Sequence, residues 1–136
     1  MNGLEQTLKK AVAALEQAHI PHAVGGSLAS WARGGPPSTR DVDVMVKPTD
    51  AEAALEALAE AGMRTEHPPE QWLYKAWDDE VLVDLIFEPV GLRVDDALFE
   101  RAQVLNVAGM RVRVMSMEDV MTTKLMGSAM LRPPAR

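Results

Sequence analysis

The chain contains no cysteine, which removes disulfides, thiolate metal sites and a cysteine nucleophile, and leaves hard, oxygen-liganded cations as the metals it could hold. Aromatic residues are scarce, with three Trp, two Phe and one Tyr, so a surface of stacked rings for single-stranded nucleic acid has little to draw on. Trp31, Trp72 and Trp77 read as core or hairpin aromatics. Cations are outnumbered: 14 Lys and Arg against 20 Asp and Glu give a formal charge of −6, the wrong sign for a broad footprint on DNA or RNA, although a local basic pocket remains compatible with it. No apolar run reaches membrane-spanning length, and acids and a lysine pair interrupt the apolar positions of MNGLEQTLKKAVAALEQAHI, unlike a signal peptide. The expectation is a cytoplasmic protein without a membrane partner. His19, His22 and His67 lack metal-ligand spacing and support neither a zinc site nor a Ser-His-Asp arrangement.

What is present is enough for one domain, residues 1–136, with an apolar fraction of 47% and a charged fraction of 25%, the balance of a folded globular protein. Leu4, Leu8, Val12 and Leu15 recur at helical spacing and predict a first helix ending before Pro21. HAVGG reads as a short strand entering a glycine turn, SLASWA as the start of a second helix, and GGPPST as its breaker. DVDVMV alternates acid and apolar residues and then turns wholly apolar, as in a strand buried at one end. KPTDAEAALEALAEAGM reads as a helix, with a capping box between Thr49 and Glu52 and Gly62 closing its end. QWLYKAW and EVLVDLIF flank DDE as an antiparallel hairpin. VDDALFERA is a short helix, VLNV and RVRV surround Ala108-Gly109 as a second hairpin, and SMEDVMTTKLMGSAM is a final helix capped by Ser116. Its methionines read as packing or as a partner-facing stripe. The expected fold class is α+β, a mixed and largely antiparallel sheet flanked by helices.

The chemistry concentrates in three acids. Residues two apart on a strand share a face, so Asp41 and Asp43 present paired carboxylates while Val42 and Val44 face the other way. Asp84 lies in VLVDLIF with apolar neighbours for three residues on either side, and a buried carboxylate needs a metal or a cation to offset several kcal/mol, on the order of the desolvation cost. Taken singly, the pair also reads as a solvated strand end and Asp84 as a salt-bridge partner. Together they form an oxygen-only set suited to magnesium. Upstream, Gly25 and Gly26 let backbone approach a ligand closely, and Ser27 sits at a helix start, where exposed amides favour phosphate. A plain strand-to-helix turn fits Gly-Gly-Ser equally well until the acids that follow are considered. A phosphate cradle beside carboxylate-held magnesium is what nucleotidyl or phosphoryl transfer requires.

These motifs, Val24-Gly25-Gly26-Ser27, Asp41-Val42-Asp43-Val44 and Val83-Asp84-Leu85, resemble those of the polymerase-beta type nucleotidyltransferase superfamily. The resemblance spans a core of about residues 20–127, between an N-terminal helix (1–19) and a tail (128–136). It implies a nucleotidyltransferase-like fold and a metal-dependent enzyme that moves a nucleoside monophosphate from a nucleoside triphosphate to a hydroxyl, releasing pyrophosphate. By the same resemblance Asp41, Asp43 and Asp84 would hold two magnesium ions, with manganese as a substitute, and Asp84 would serve as base toward the acceptor. Gly25, Gly26 and Ser27 would contact the triphosphate, joined by Arg40 before the acid pair and Lys124 on the final helix, which also reads as a solvated helix lysine. The acceptor is not legible, and the negative charge favours a protein or small molecule over tRNA. Two further readings remain open at this point: an antitoxin-like nucleotide-binding module acting through a partner protein, and a metal-dependent nuclease, which would have no use for the glycine cradle.

Overall fold

The computed structural model describes residues 3–35, 41–89 and 91–123. In chain order the elements are α1 (Gly3–Gln17), β1 (His22–Gly25), α2 (Gly26–Ala32), β2 (Asp41–Val46), a 3-10 turn (Pro48–Asp50), α3 (Ala51–Glu60), β3 (Arg64–Glu66), β4 (Leu73–Asp78), β5 (Val81–Ile86), α4 (Asp96–Arg101), β6 (Gln103–Val107) and β7 (Met110–Val114). Residues 117–123 form a last helical segment. The fold is α+β, as expected. One sheet of seven strands runs in the order β3-β4-β5-β2-β1-β7-β6. Only β1 with β7 and β2 with β5 pair in parallel; the other neighbours are antiparallel.

The apolar periodicity of α1 buries Leu4, Leu8, Ala11, Val12 and Leu15, and α3 buries Ala54, Leu55 and Leu58 beside it. Both helices pack on one face of the sheet, where Val42, Val44, Val83 and Leu85 are fully buried. Strand alternation places Asp78 and Tyr74 on that same face. Asp78 accepts hydrogen bonds from Thr7 Oγ1 (2.6 Å) and Lys10 Nζ (2.8 Å) of α1, and Tyr74 donates to Glu52 of α3 at 3.0 Å. Asp41, Asp43 and Asp84, along with Lys75 and Trp77, therefore project to the opposite face.

One local expectation is corrected, and one strand is added. No capping box forms between Thr49 and Glu52, because Pro48 opens a 3-10 turn and α3 starts only at Ala51, behind an Asp50 cap that makes no side-chain bond. Glu52 turns instead to Tyr74 and to His67, 3.2 Å away. Strand β3 was also not anticipated; its three residues carry no apolar alternation and are held by pairing with β4. The end of α3 follows the sequence closely: Gly62 adopts φ +99°, and the Met63-to-Leu58 and Gly62-to-Ala59 backbone bonds make a Schellman closure. The last helix begins as its sequence suggests, with Ser116 Oγ accepting from the Asp119 amide at 3.2 Å. Asp119 is buried and receives a two-pronged bond from Arg101 of α4, at 2.9 and 3.2 Å. Met117 and Met121 face outward. No helix among the described residues is long and apolar enough to cross a membrane.

Candidate active site

The register of five strands assembles the site. Gly25 of β1 lies opposite Asp43 of β2, Asp43 beside Asp84 of β5, Asp84 opposite Lys75 of β4, and Lys75 opposite Glu66 of β3. Directly paired residues share a face, so these side chains form one row across the sheet. The neighbouring row holds Asp41, Leu82, Trp77 and Arg64. Asp41 opens β2 and is exposed, whereas Asp43 and Asp84 are half-buried.

Charge is poorly accommodated in this row. Burial, reinforced by the carboxylates of Asp84 and Asp41, pushes the Asp43 carboxyl up to about 7, and a hydrogen bond to Asp84 holds the proton there. Burial first, and then Asp41, raise Asp84 to about 6, with Glu70 adding to the rise and the Lys75 ammonium and the Asp43 hydrogen bond opposing it. One oxygen of Asp84, Oδ1, is buried without a hydrogen-bond partner. A buried carboxylate oxygen left unsatisfied is costly and calls for an external donor or cation.

The turn after β1 is shaped around the same carboxyl group. Gly26 adopts φ +62°, a left-handed conformation that side chains disfavour, and a Cβ there would collide with the Asp43 carboxylate. A Cβ on Gly25 would run into Met115 Sδ and Met45 Cε. Backbone at the start of α2 thus comes as close to Asp43 as glycine permits.

Of the residues singled out from sequence, Gly25, Gly26, Asp41, Asp43 and Asp84 lie on adjoining strands, and Ser27 lies on the first turn of α2. Arg40 and Lys124 lie outside the described residues. Among the described residues no three His, Asp or Glu side chains already stand close enough together to hold one metal ion. The donor set nonetheless fits a divalent cation: it is all oxygen, it contains a buried oxygen without a partner, and its two half-buried acids resist ionising without a positive charge. Lys75 escaped the sequence reading. The signal was available, since the two-residue turn Asp79-Glu80 fixes the hairpin register and sets Lys75 across from Asp84.

A glycine turn leading into a short helix, followed by an Asp-x-Asp strand with a third Asp on its parallel neighbour, defines a nucleotidyltransferase-like domain. The chain belongs to a family described as nucleotidyl transferase of unknown function (DUF2204), whose model matches residues 4–130. No curated protein matches it in sequence. Solved structures with the same fold include the antibiotic-resistance factor ANT(2'')-Ia, at TM-score 0.75 and 15% identity over 96% of this chain and 74% of that one. A candidate nucleotidyltransferase from Thermotoga maritima aligns at TM-score 0.72 and 17% identity, over 92% of this chain and 84% of that one. The lincosamide antibiotic adenylyltransferase LnuA, bound to lincomycin, aligns at 0.63 and 12%, over 89% and 84%.

Proposed function

We propose that the protein transfers a nucleoside monophosphate from a nucleoside triphosphate to a hydroxyl group, in a reaction that depends on magnesium. The observation that carries this reading is the row Gly25, Asp43, Asp84, in which a backbone turn that only glycine can make closes on an acid whose neighbour keeps an unpartnered oxygen. Asp41, Asp43 and Asp84 would hold the metal, which when bound supplies positive charge to neutralise phosphate oxygens and restores the acids to their ionised forms. Amides at the start of α2, at Gly26 and Ser27, receive the triphosphate, and a side chain at residue 26 would displace the Asp43 carboxylate beside them. Asp84 takes the proton of the acceptor hydroxyl. The acceptor oxygen forms a bond to the α-phosphorus while the bond from that phosphorus to the bridging oxygen breaks, and pyrophosphate leaves with the electron pair. LnuA is an adenylyltransferase and ANT(2'')-Ia has been seen with adenylyl-2''-tobramycin, which makes ATP the first nucleotide to test.

Calorimetric titration of the four ribonucleoside triphosphates, with magnesium or with a chelator, tests the pocket before any acceptor is known. Binding that requires the metal and disappears in Asp43→Asn supports the reading. Metal-independent binding, or none, overturns it. Transfer of α-labelled ATP to acceptors should fall by at least about a hundredfold in Asp84→Asn, the scale of losing a general base.

A further inference from the structure

Asp84 has two chemically different flanks. On one side stands Asp43, backed by the glycine turn; on the other, directly across the hairpin, stands Lys75. Lys75 is half-buried, and among the described residues its only interaction is electrostatic attraction to Asp84. Its ammonium does not satisfy the unpartnered Oδ1 of Asp84. Two opposite charges thus lie on adjacent strands without forming an ion pair, an arrangement that leaves the half-buried ammonium to be neutralised by a ligand. The other charged groups nearby are differently engaged. Arg64 stacks over the Trp77 ring, 5.5 Å from its centroid, Glu66 accepts from Trp77 Nε1 at 3.3 Å, and Glu70 is exposed in the loop before β4, where solvent screens it. Among the described residues, Lys75 is the cation on this flank without an ion-pair or ring partner.

With the nucleotide entering over the glycine turn, the acceptor must reach Asp84 from the side of β4. We propose that Lys75 and the adjoining face of β4 form the acceptor subsite, and that the acceptor carries an anionic group, carboxylate or phosphate, close to the hydroxyl it offers to Asp84. This rests on the transferase reading above. It sets the chain apart from ANT(2'')-Ia, seen in complex with adenylyl-2''-tobramycin, whose tobramycin part is amine-rich and therefore cationic.

The test uses the full chain with magnesium and a non-hydrolysable ATP analogue, and measures by ligand-observed NMR the binding of glycerol, glycerate, glycerol 3-phosphate and ethanolamine. Glycerate or glycerol 3-phosphate should bind about tenfold or more tighter than glycerol, the scale of one charge-assisted hydrogen bond, and the two anions tell carboxylate from phosphate recognition. Lys75→Gln should abolish that preference while leaving glycerol binding and affinity for the ATP analogue unchanged, and Lys75→Arg should retain most of it. Equal binding across the panel, preference for ethanolamine, or anion selectivity surviving in Lys75→Gln overturns the proposal. If the wild-type chain does not bind the ATP analogue, the transferase reading fails by itself. The anion preference, measured again without nucleotide, then stands or falls separately.

Discussion

At the scale of single residues, Asp43 carries the strongest consequence for pH. Its carboxyl is raised in the folded chain to about 7 from an ordinary value of 3.8. Between those values the folded state holds a proton that the unfolded state has released, so stability falls as pH rises across this window and levels off above it. In a chelator the melting temperature should therefore drop from pH 5 to pH 7.5, and added magnesium should reverse the drop at the upper end. Asp43→Asn should be more stable than wild type at pH 8 in chelator, by about 1 kcal/mol or more, because it removes a poorly solvated charge at constant shape. A flat thermal profile would contradict this. Gly26 makes the complementary case. Gly26→Ala meets both an unfavourable φ and the Asp43 carboxylate, and should cost about 1–3 kcal/mol in chemical denaturation. In the double variant with Asp43→Ala part of that loss should return, because the collision is relieved and the dihedral strain remains.

Among the elements, α4 and the last helix are tied together by Arg101 and the buried Asp119. Arg101 is partly exposed, so Asp119→Ala should cost about 1–3 kcal/mol, less than a fully buried pair would. Hydrogen exchange should rise first at residues 117–123. Element types were largely readable because periodicity is a local property: the DVDVMV strand, the VLVDLIF hairpin arm and α1 announce themselves through spacing. Element interactions were not. The Thr49/Glu52 pattern looked like a cap until Tyr74 and His67, from a strand and a loop well downstream, claimed Glu52. Strand β3 exists because β4 offers it an edge, and nothing in Arg-Thr-Glu alone demands that. The three acids were visible as individual oddities, an acid pair on a strand and one acid among apolar residues, and their chemical types were enough to suggest a cation. That Asp84 stands beside Asp43 depends on β5 inserting next to β2 across two intervening strands, a matter of topology on which the local sequence is silent.

For the molecule as a whole, the acids lie on one face of the sheet and α1 and α3 cover the other, and on the acids' own face Ala23 and Met45 are buried further along the strands. The whole-chain readout is ligand-induced stabilisation. Saturating ATP with magnesium, at about a hundred times the dissociation constant, should add roughly 2.7 kcal/mol, and neither component alone should approach that. The net charge of −6 adds a second expectation: moderate salt should alter nucleotide affinity only modestly, because attraction at the proposed site would be local while the overall field repels a triphosphate.

Strand β1 lies between β2 and β7, so its second edge is covered only once a strand far downstream along the chain has docked beside it. The glycine turn at its tip therefore cannot be locked into place before β7 has docked. Such distant pairings slow folding and leave strand edges bare in the interim. Ordering of the glycine turn should accordingly trail the compaction of the helices during refolding.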